Sequence, residues 1–166
     1  MRCSIVILNW NGAEMLRRFL PSVLQYCPTD AEVVVADNGS TDTSVQVLRE
    51  CFPEARTILF AENFGFAEGY NRALAEIDSE YVVLLNSDVE VTEHWLEPLL
   101  DYMDAHPEVA AVQPKVLAYY DKEKKKGGRT HPLRTCRGCG RLYGCMGLSL
   151  LPRTRDGATR DRYASI

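Results

Sequence analysis

Residues 4–12 read Ser4-Ile5-Val6-Ile7-Leu8-Asn9-Trp10-Asn11-Gly12, a continuous apolar, β-branched run that breaks into turn-forming residues. Such a run predicts a buried strand that opens into a loop. From Ala13 the positions of Met15, Leu16, Phe19, Leu20, Val23 and Leu24 mark one helical face, which Pro21 kinks or restarts. A second strand over 32–36 stops at Asp37-Asn38-Gly39-Ser40-Thr41-Asp42, and Val45, Val47, Leu48, Cys51 and Phe52 predict a short helix. The cycle repeats: strand 57–60, turn Asn63-Phe64-Gly65, helix 67–77, then strand 81–85 ending at Asn86-Ser87-Asp88. Helix 93–105 and a strand over 109–113 extend it. Buried strands alternating with helices predict an α/β fold: a three-layer, Rossmann-like, mainly parallel sheet with right-handed crossovers.

The 166 residues are 46% hydrophobic and 25% charged with net charge −4, which fits a globular chain and argues against collagen-like, disordered and disulfide-scaffold classes. That average joins two unlike parts. Residues 1–121 hold 7 Lys and Arg against 20 Asp and Glu, a net −13, whereas 122–166 hold 12 against 3, a net +9. The second part has 7 of the 11 glycines, no Val, Phe or Trp, and Ile166 as its only Ile, so it is a poor core former. The expected organisation is a folded domain over 1–121, able to bury roughly two thirds of its unfolded surface, and a disordered or aberrant basic tail over 122–166. No charged leader with an apolar stretch and cleavage site precedes the first strand, so the chain reads as cytoplasmic with reduced thiols. Cys3, Cys27 and Cys51 read as small core residues, and His94 and His106 as surface residues near the ends of one helix.

In an open α/β sheet the ligand crevice lies at the carboxyl ends of the strands. Here those ends carry Asn9 to Asn11, Asp37-Asn38, Asn63 to Gly65 and Asn86 to Asp88. Neither Gly-x-Gly-x-x-Gly nor a Walker pattern is present, which argues against a dinucleotide fold and a P-loop phosphotransferase. What remains is a nucleotide held by side chains and a cation. Asp88 offers a hard oxygen ligand to Mg²⁺ or Mn²⁺ bridging a diphosphate, and Asp37 could accept a hydrogen bond from a base N–H or a ribose hydroxyl. Alone, Asp37 reads equally as an Asx turn and Asp88 as a surface turn; Asp42 reads as a helix cap. Asn63 and Gly65 supply turn geometry. Trp10 reads either as part of the crevice or as a core anchor, and Arg72 either as a phosphate contact or as a solvated helical arginine.

Taken together, residues 5–12, 37–42, 63–74 and 84–88 resemble the motifs of family 2 glycosyltransferases with the GT-A fold, in order and spacing, over about residues 3–118. The resemblance implies inverting transfer of a sugar from a nucleoside diphosphate, UDP or dTDP, to a glycan or lipid-linked acceptor in cell-surface polysaccharide synthesis. It places Asp88 as metal ligand in an Asp-x-Asp-type motif whose last position alone is acidic here, and Asn86 at the ribose. Asp37 would contact a uracil or thymine ring, the backbone around Asn9 and Trp10 would line the base pocket, and Arg72 would touch the base or diphosphate. Peripheral membrane association would accord with a lipid-linked acceptor.

Similar enzymes continue into an acceptor-binding half that supplies a carboxylate general base, needed to deprotonate the attacking hydroxyl. After Asp121 the only acidic side chains are Glu123, Asp156 and Asp161, none in a recognisable motif. The expectation is a truncated enzyme with an out-of-frame end; a nucleotide-sugar-binding remnant without turnover is the alternative. A further alternative is a zinc- or nucleic-acid-binding module formed by the tail, where His131, Cys136, Cys139 and Cys145 could ligate zinc, although the spacing is short and irregular for structural sites. The run Lys124-Lys125-Lys126 lacks interleaved aromatics, so no nucleic acid partner is expected.

Overall fold

The structure, a computed structural model, describes residues 1–114, 116, 117, 119, 142, 143 and 148–152. The zinc-like quartet and the lysine run lie outside these residues. Strand β1 (Cys3–Asn9) is followed by α1 (Ala13–Gln25), β2 (Ala31–Asp37), α2 (Ser44–Cys51), β3 (Arg56–Leu59), α3 (Gly65–Ala75), β4 (Tyr81–Asn86) and α4 (Glu97–Ala105). Three short strands come later: β5 (Val116–Leu117), β6 (Leu142–Tyr143) and β7 (Leu148–Pro152). The main sheet has the order β3-β2-β1-β4-β7, and β5 pairs with β6 in a second, two-stranded sheet. Strands β1 to β4 are mutually parallel and β7 joins β4 antiparallel, so the mainly parallel α/β architecture holds.

The period of a strand explains the two cores. Alternate side chains point to opposite faces, and Cys3, Ile5 and Ile7 meet Leu16, Leu20 and Val23 of α1 together with residues of α2 and α4. Val6 on the other face joins Val34, Ala36 and Val82 beneath Tyr70, Ala73 and Ile77 on the α3 side. A strand covered on both faces needs the continuous apolar run that opens the chain. Trp95 is 1% exposed and donates its indole N–H to the Tyr26 carbonyl at 3.3 Å, fastening the approach to α4 onto the end of α1.

Several expectations need correcting. Pro21 does not restart α1, which runs unbroken from Ala13 to Gln25 with Leu20 and Val23 buried beside the proline. Met15 is 42% exposed and lies off the buried face. The fourth helix begins at Glu97 rather than 93, because His94 takes a left-handed φ of 56° and Pro98 sits in the first turn. No strand spans 109–113: these residues are irregular apart from a bridge at Val112. Cys3 is buried and Cys27 half-buried, but Cys51 is exposed and is no core residue. Burial pushes the Cys3 thiol up to about 12 and that of Cys27 to about 11, so both are uncharged at neutral pH. No strand was expected after residue 121, yet Leu142–Tyr143 and Leu148–Pro152 are strands. The short apolar run at 148–151 is masked by its Gly- and Arg-rich surroundings. Among the described residues no helix is long and apolar enough to cross a membrane.

Two glycines hold the loops at the carboxyl edge. Gly39 has φ 71°, and a Cβ there would meet the Glu62 carbonyl carbon at 2.5 Å; Gly65 has φ 76° but open space around it. Gly65→Ala should therefore cost only the left-handed backbone penalty, about 1–2 kcal/mol. Gly39→Ala must also displace backbone and should cost more. Urea unfolding of both variants checks the ranking, and equal losses would refute the close approach at Gly39.

Candidate functional site

The site begins with register. Asn9 lies beside Asp37, Leu8 beside Asn86, and Asp37 beside Leu59, so the ends of β1, β2, β3 and β4 are level. The ladder continues past the strands, with Asn38 N–H donating to the Asn9 carbonyl at 2.7 Å and Phe60 N–H to the Asp37 carbonyl at 2.9 Å. The polar side chains that follow each strand are thereby gathered along one edge.

On the β1–β2 side they form a hydrogen-bonded network. Asn9 is fully buried and Asp37 is 2% exposed. The Asn9 amide donates to Asp37 Oδ2 at 2.9 Å, and the Ser40 backbone N–H donates to Asp37 Oδ1 at 2.9 Å, which fixes the carboxylate plane. Asn9 Oδ1 is buried without a hydrogen-bond partner and occupies the space a Cβ at Gly12 would need. Asn11 takes φ 50°, and its Oδ1 accepts from the Thr41 N–H at 2.8 Å and the Asp42 N–H at 3.3 Å. Asp42 caps two helices at once, accepting from Ser44 N–H at 2.8 Å and Ala13 N–H at 3.1 Å. Burial opposes its charge, but the hydrogen bonds from Ser44 and Ala13 outweigh that and hold its carboxyl below the usual carboxylate range.

The 63–65 turn is bolted to the same edge by a strand-end residue to which sequence reasoning assigned no individual role. Asn38, 2% exposed, donates to Asn63 Oδ1 at 2.9 Å and to the Gly65 carbonyl at 3.0 Å, and accepts from Phe64 N–H at 3.0 Å. Its only signal is its place after a buried strand. Asn63 Oδ1 also accepts from Gly65 N–H at 2.7 Å, as a turn-shaping residue should. Trp10 is 57% exposed, which rules out the core-anchor alternative. Arg72 bonds Glu68 at 2.8 Å, one helical turn away, and lies 3.6 Å over the Phe64 ring.

On the β4 side, Asn86 is the last residue of the strand and Asp88 lies two residues beyond it. The Asp88 carboxyl is half-buried, its Oδ1 is buried with no hydrogen-bond partner, and burial pushes its pKa above the usual carboxylate range. A buried carboxylate oxygen without a compensating donor is a costly arrangement, and a divalent cation would satisfy it. Among the described residues no three His, Cys, Asp or Glu side chains gather as a full protein cage. One carboxylate completed by phosphate oxygens and water is instead the way Mg²⁺ is commonly held. Asp88 therefore fits the expected metal.

The two aspartates give opposite predictions. A carboxyl whose folded pKa is raised costs stability as pH climbs from the unfolded value, about 3.9, through the folded one, and the cost is complete above that. Metal-free Asp88→Asn should then melt at a higher temperature than the parent at pH 7, with the gap closing as the pH falls toward about 4. A lower melting temperature at pH 7 would contradict this. Asp42, with its lowered pKa, contributes stability above its unfolded value that is lost as pH falls through the folded one. Removing this cap in Asp42→Ala should cost about 1 kcal/mol at pH 7 in urea unfolding.

Comparison with known proteins agrees with this geometry. The family model for glycosyl transferase family 2 matches residues 4–158, running on past residue 118, where the motif resemblance stops, into the basic segment. An uncharacterised glycosyltransferase of Nostoc sp. is 34% identical over 104 residues, covering 61% of this chain and 32% of that protein. The N-acetylglucosaminyl-diphospho-decaprenol L-rhamnosyltransferase of Mycobacterium tuberculosis is 26% identical over 123 residues, covering 68% of this chain and 40% of the relative. Among solved structures, the mannosyltransferase PcManGT from Pyrobaculum calidifontis, in complex with GDP-Man and Mn²⁺, superposes with TM-score 0.62 and 27% identity over 70% of this chain and 36% of that one. S. aureus TarS 1–349 in complex with UDP-GlcNAc shares the fold, with TM-score 0.61 and 22% identity over 80% of this chain and 37% of its own. This chain thus spans less than half the length of these proteins. With the family model covering most of its residues and the strand-end geometry in place, the chain belongs to glycosyl transferase family 2.

Proposed function

We propose that this chain provides the donor-binding half of an inverting glycosyltransferase, holding a UDP- or dTDP-sugar with Mg²⁺ or Mn²⁺ at Asp88 for transfer to a glycan or lipid-linked acceptor. The observation that carries the reading is the unpartnered, buried Asp88 oxygen at the end of β4, one strand over from the fixed Asn9–Asp37 pair. GDP-Man with Mn²⁺ in one neighbour, UDP-GlcNAc in another and a diphospho-decaprenol acceptor in a relative support the substrate class.

In this reading Asp37 selects the base. Asn9 and Ser40 each use one of its oxygens, leaving lone pairs to accept the N–H of a uracil or thymine ring. The backbone around Asn9, Trp10 and Asn11 forms the floor, and Asn86 meets the ribose. Arg72 reaches a phosphate only by exchanging Glu68, a surface pair of small worth. Asp88 would hold the cation. When bound, that cation neutralises the charge that develops on a departing nucleoside diphosphate.

Calorimetric titration with UDP and dTDP, with and without Mn²⁺, tests the reading. Binding should depend on Mn²⁺, and Asp88→Ala should lose at least the roughly 10–100-fold that removal of even an outer-shell partner costs. Asp42→Ala should bind as the parent does. A folded sample showing no Mn²⁺-dependent binding would remove the proposal.

A further inference from the structure

The segment from Asn63 to Leu74 carries a large, exposed side chain that neither the core nor the donor contacts above employ. Phe66, the second residue of α3, is 65% exposed, whereas Tyr70, one turn further along the same helix, is 4% exposed. The Phe66 ring is held in place. It stands edge-on to Tyr70, with ring centroids 5.0 Å apart and an interplanar angle of 73°, a favoured aromatic geometry. The Tyr70 hydroxyl in turn donates to the Leu85 carbonyl at 3.1 Å, immediately before Asn86-Ser87-Asp88. Gly69 leaves no room between α3 and the end of β1, since a Cβ there would meet the Leu8 side chain at 3.0 Å and Asn38 Nδ2 at 3.1 Å. An exposed aromatic ring is thus fixed at the first turn of α3, which is tied to Asn38 after β2, and it packs on Tyr70, whose hydroxyl reaches β4.

The crevice has a direction. Asn9, Asn11 and Asp37 lie at its β1–β2 end, and Asp88 lies at its β4 end. A nucleoside diphosphate with its base at Asp37 and its phosphates at Asp88 carries its sugar at the β4 end, toward which the Phe66–Tyr70 pair is linked by the Tyr70–Leu85 hydrogen bond. A hexopyranose presents a patch of C–H groups on one face, and a fixed aromatic ring is the protein surface that matches such a patch. We infer that Phe66 is a sugar-binding residue of the donor site, stacking on the apolar face of the transferred hexose. The inference rests on the donor-site reading above and adds a contact that distinguishes nucleotide from nucleotide sugar.

The test titrates the full chain, in Mn²⁺, with UDP, dTDP, UDP-glucose, UDP-N-acetylglucosamine, dTDP-glucose and dTDP-rhamnose. For the sugar nucleotide that binds the parent best, Phe66→Ala and Phe66→Leu should weaken binding roughly five- to tenfold. Both variants should keep the parent's affinity for the sugar-free nucleotide, which also reports that they fold, and Phe66→Trp should retain both affinities. Unchanged sugar-nucleotide affinity in Phe66→Ala overturns the inference, and so does equal weakening of nucleotide and sugar nucleotide. A parent chain that binds none of the six overturns the donor-site reading, and this inference with it.

Discussion

Parallel pairing on both sides of β1 is the constraint from which the rest follows. Because β2 and β4 run in the same direction as β1 and in level register, each strand delivers the residue after its last apolar side chain to one edge of the sheet. Crossover helices then cover both faces and leave that edge as the open place for a ligand. The apolar run 4–8 and the polar cluster 9–12 are therefore two parts of one arrangement. The first secures the strand's central place, and the second is where the buried ladder ends.

Ending several buried strands at one level leaves polar groups with few water partners, and the two ends of the crevice resolve this differently. At β1 and β2 most groups satisfy each other: Asn9 binds Asp37, Ser40 braces it, Asn38 ties in the 63–65 turn, and Asp42 caps two helices, while Asn9 Oδ1 stays without a partner. Such a network fixes geometry before any ligand arrives. At β4 the Asp88 oxygen is left unmatched. The free chain bears that cost, which is the usual relation between a binding site and the stability of the fold around it.

The buried strands were legible because a strand covered on both faces has a composition that little else imitates. That holds for β1, β2 and β4, whose ends differ from the expected bounds by only a residue or so. Elements shaped by tertiary contacts were not legible. The start of α4 depends on a left-handed His94 and on Trp95 reaching Tyr26, and β7 depends on its pairing with β4. Of the candidate residues, Asn9, Asn11 and Asp37 meet through hydrogen bonds or loops that their motif spacing foreshadowed. Asn38 was missed because an asparagine after a strand looks like ordinary turn chemistry until its partners are seen. Arg72 could not be placed from spacing, since a helical turn offers it Glu68 and a loop offers it Phe64. Phe66 falls within the 63–74 motif, but the sequence assigned it no role.

The proposed cation site depends on the half-buried Asp88 carboxyl, whose Oδ1 is buried without a hydrogen-bond partner. The direct measurement is its own titration in the metal-free chain, followed by the carbon-13 chemical shift of its carboxyl group, with Asp88→Asn used to assign the signal. The account predicts a midpoint above the ordinary aspartate value of about 3.9, and paramagnetic broadening of this signal at low Mn²⁺ in the presence of UDP. A midpoint at or below the ordinary value, with no broadening by Mn²⁺, would contradict it.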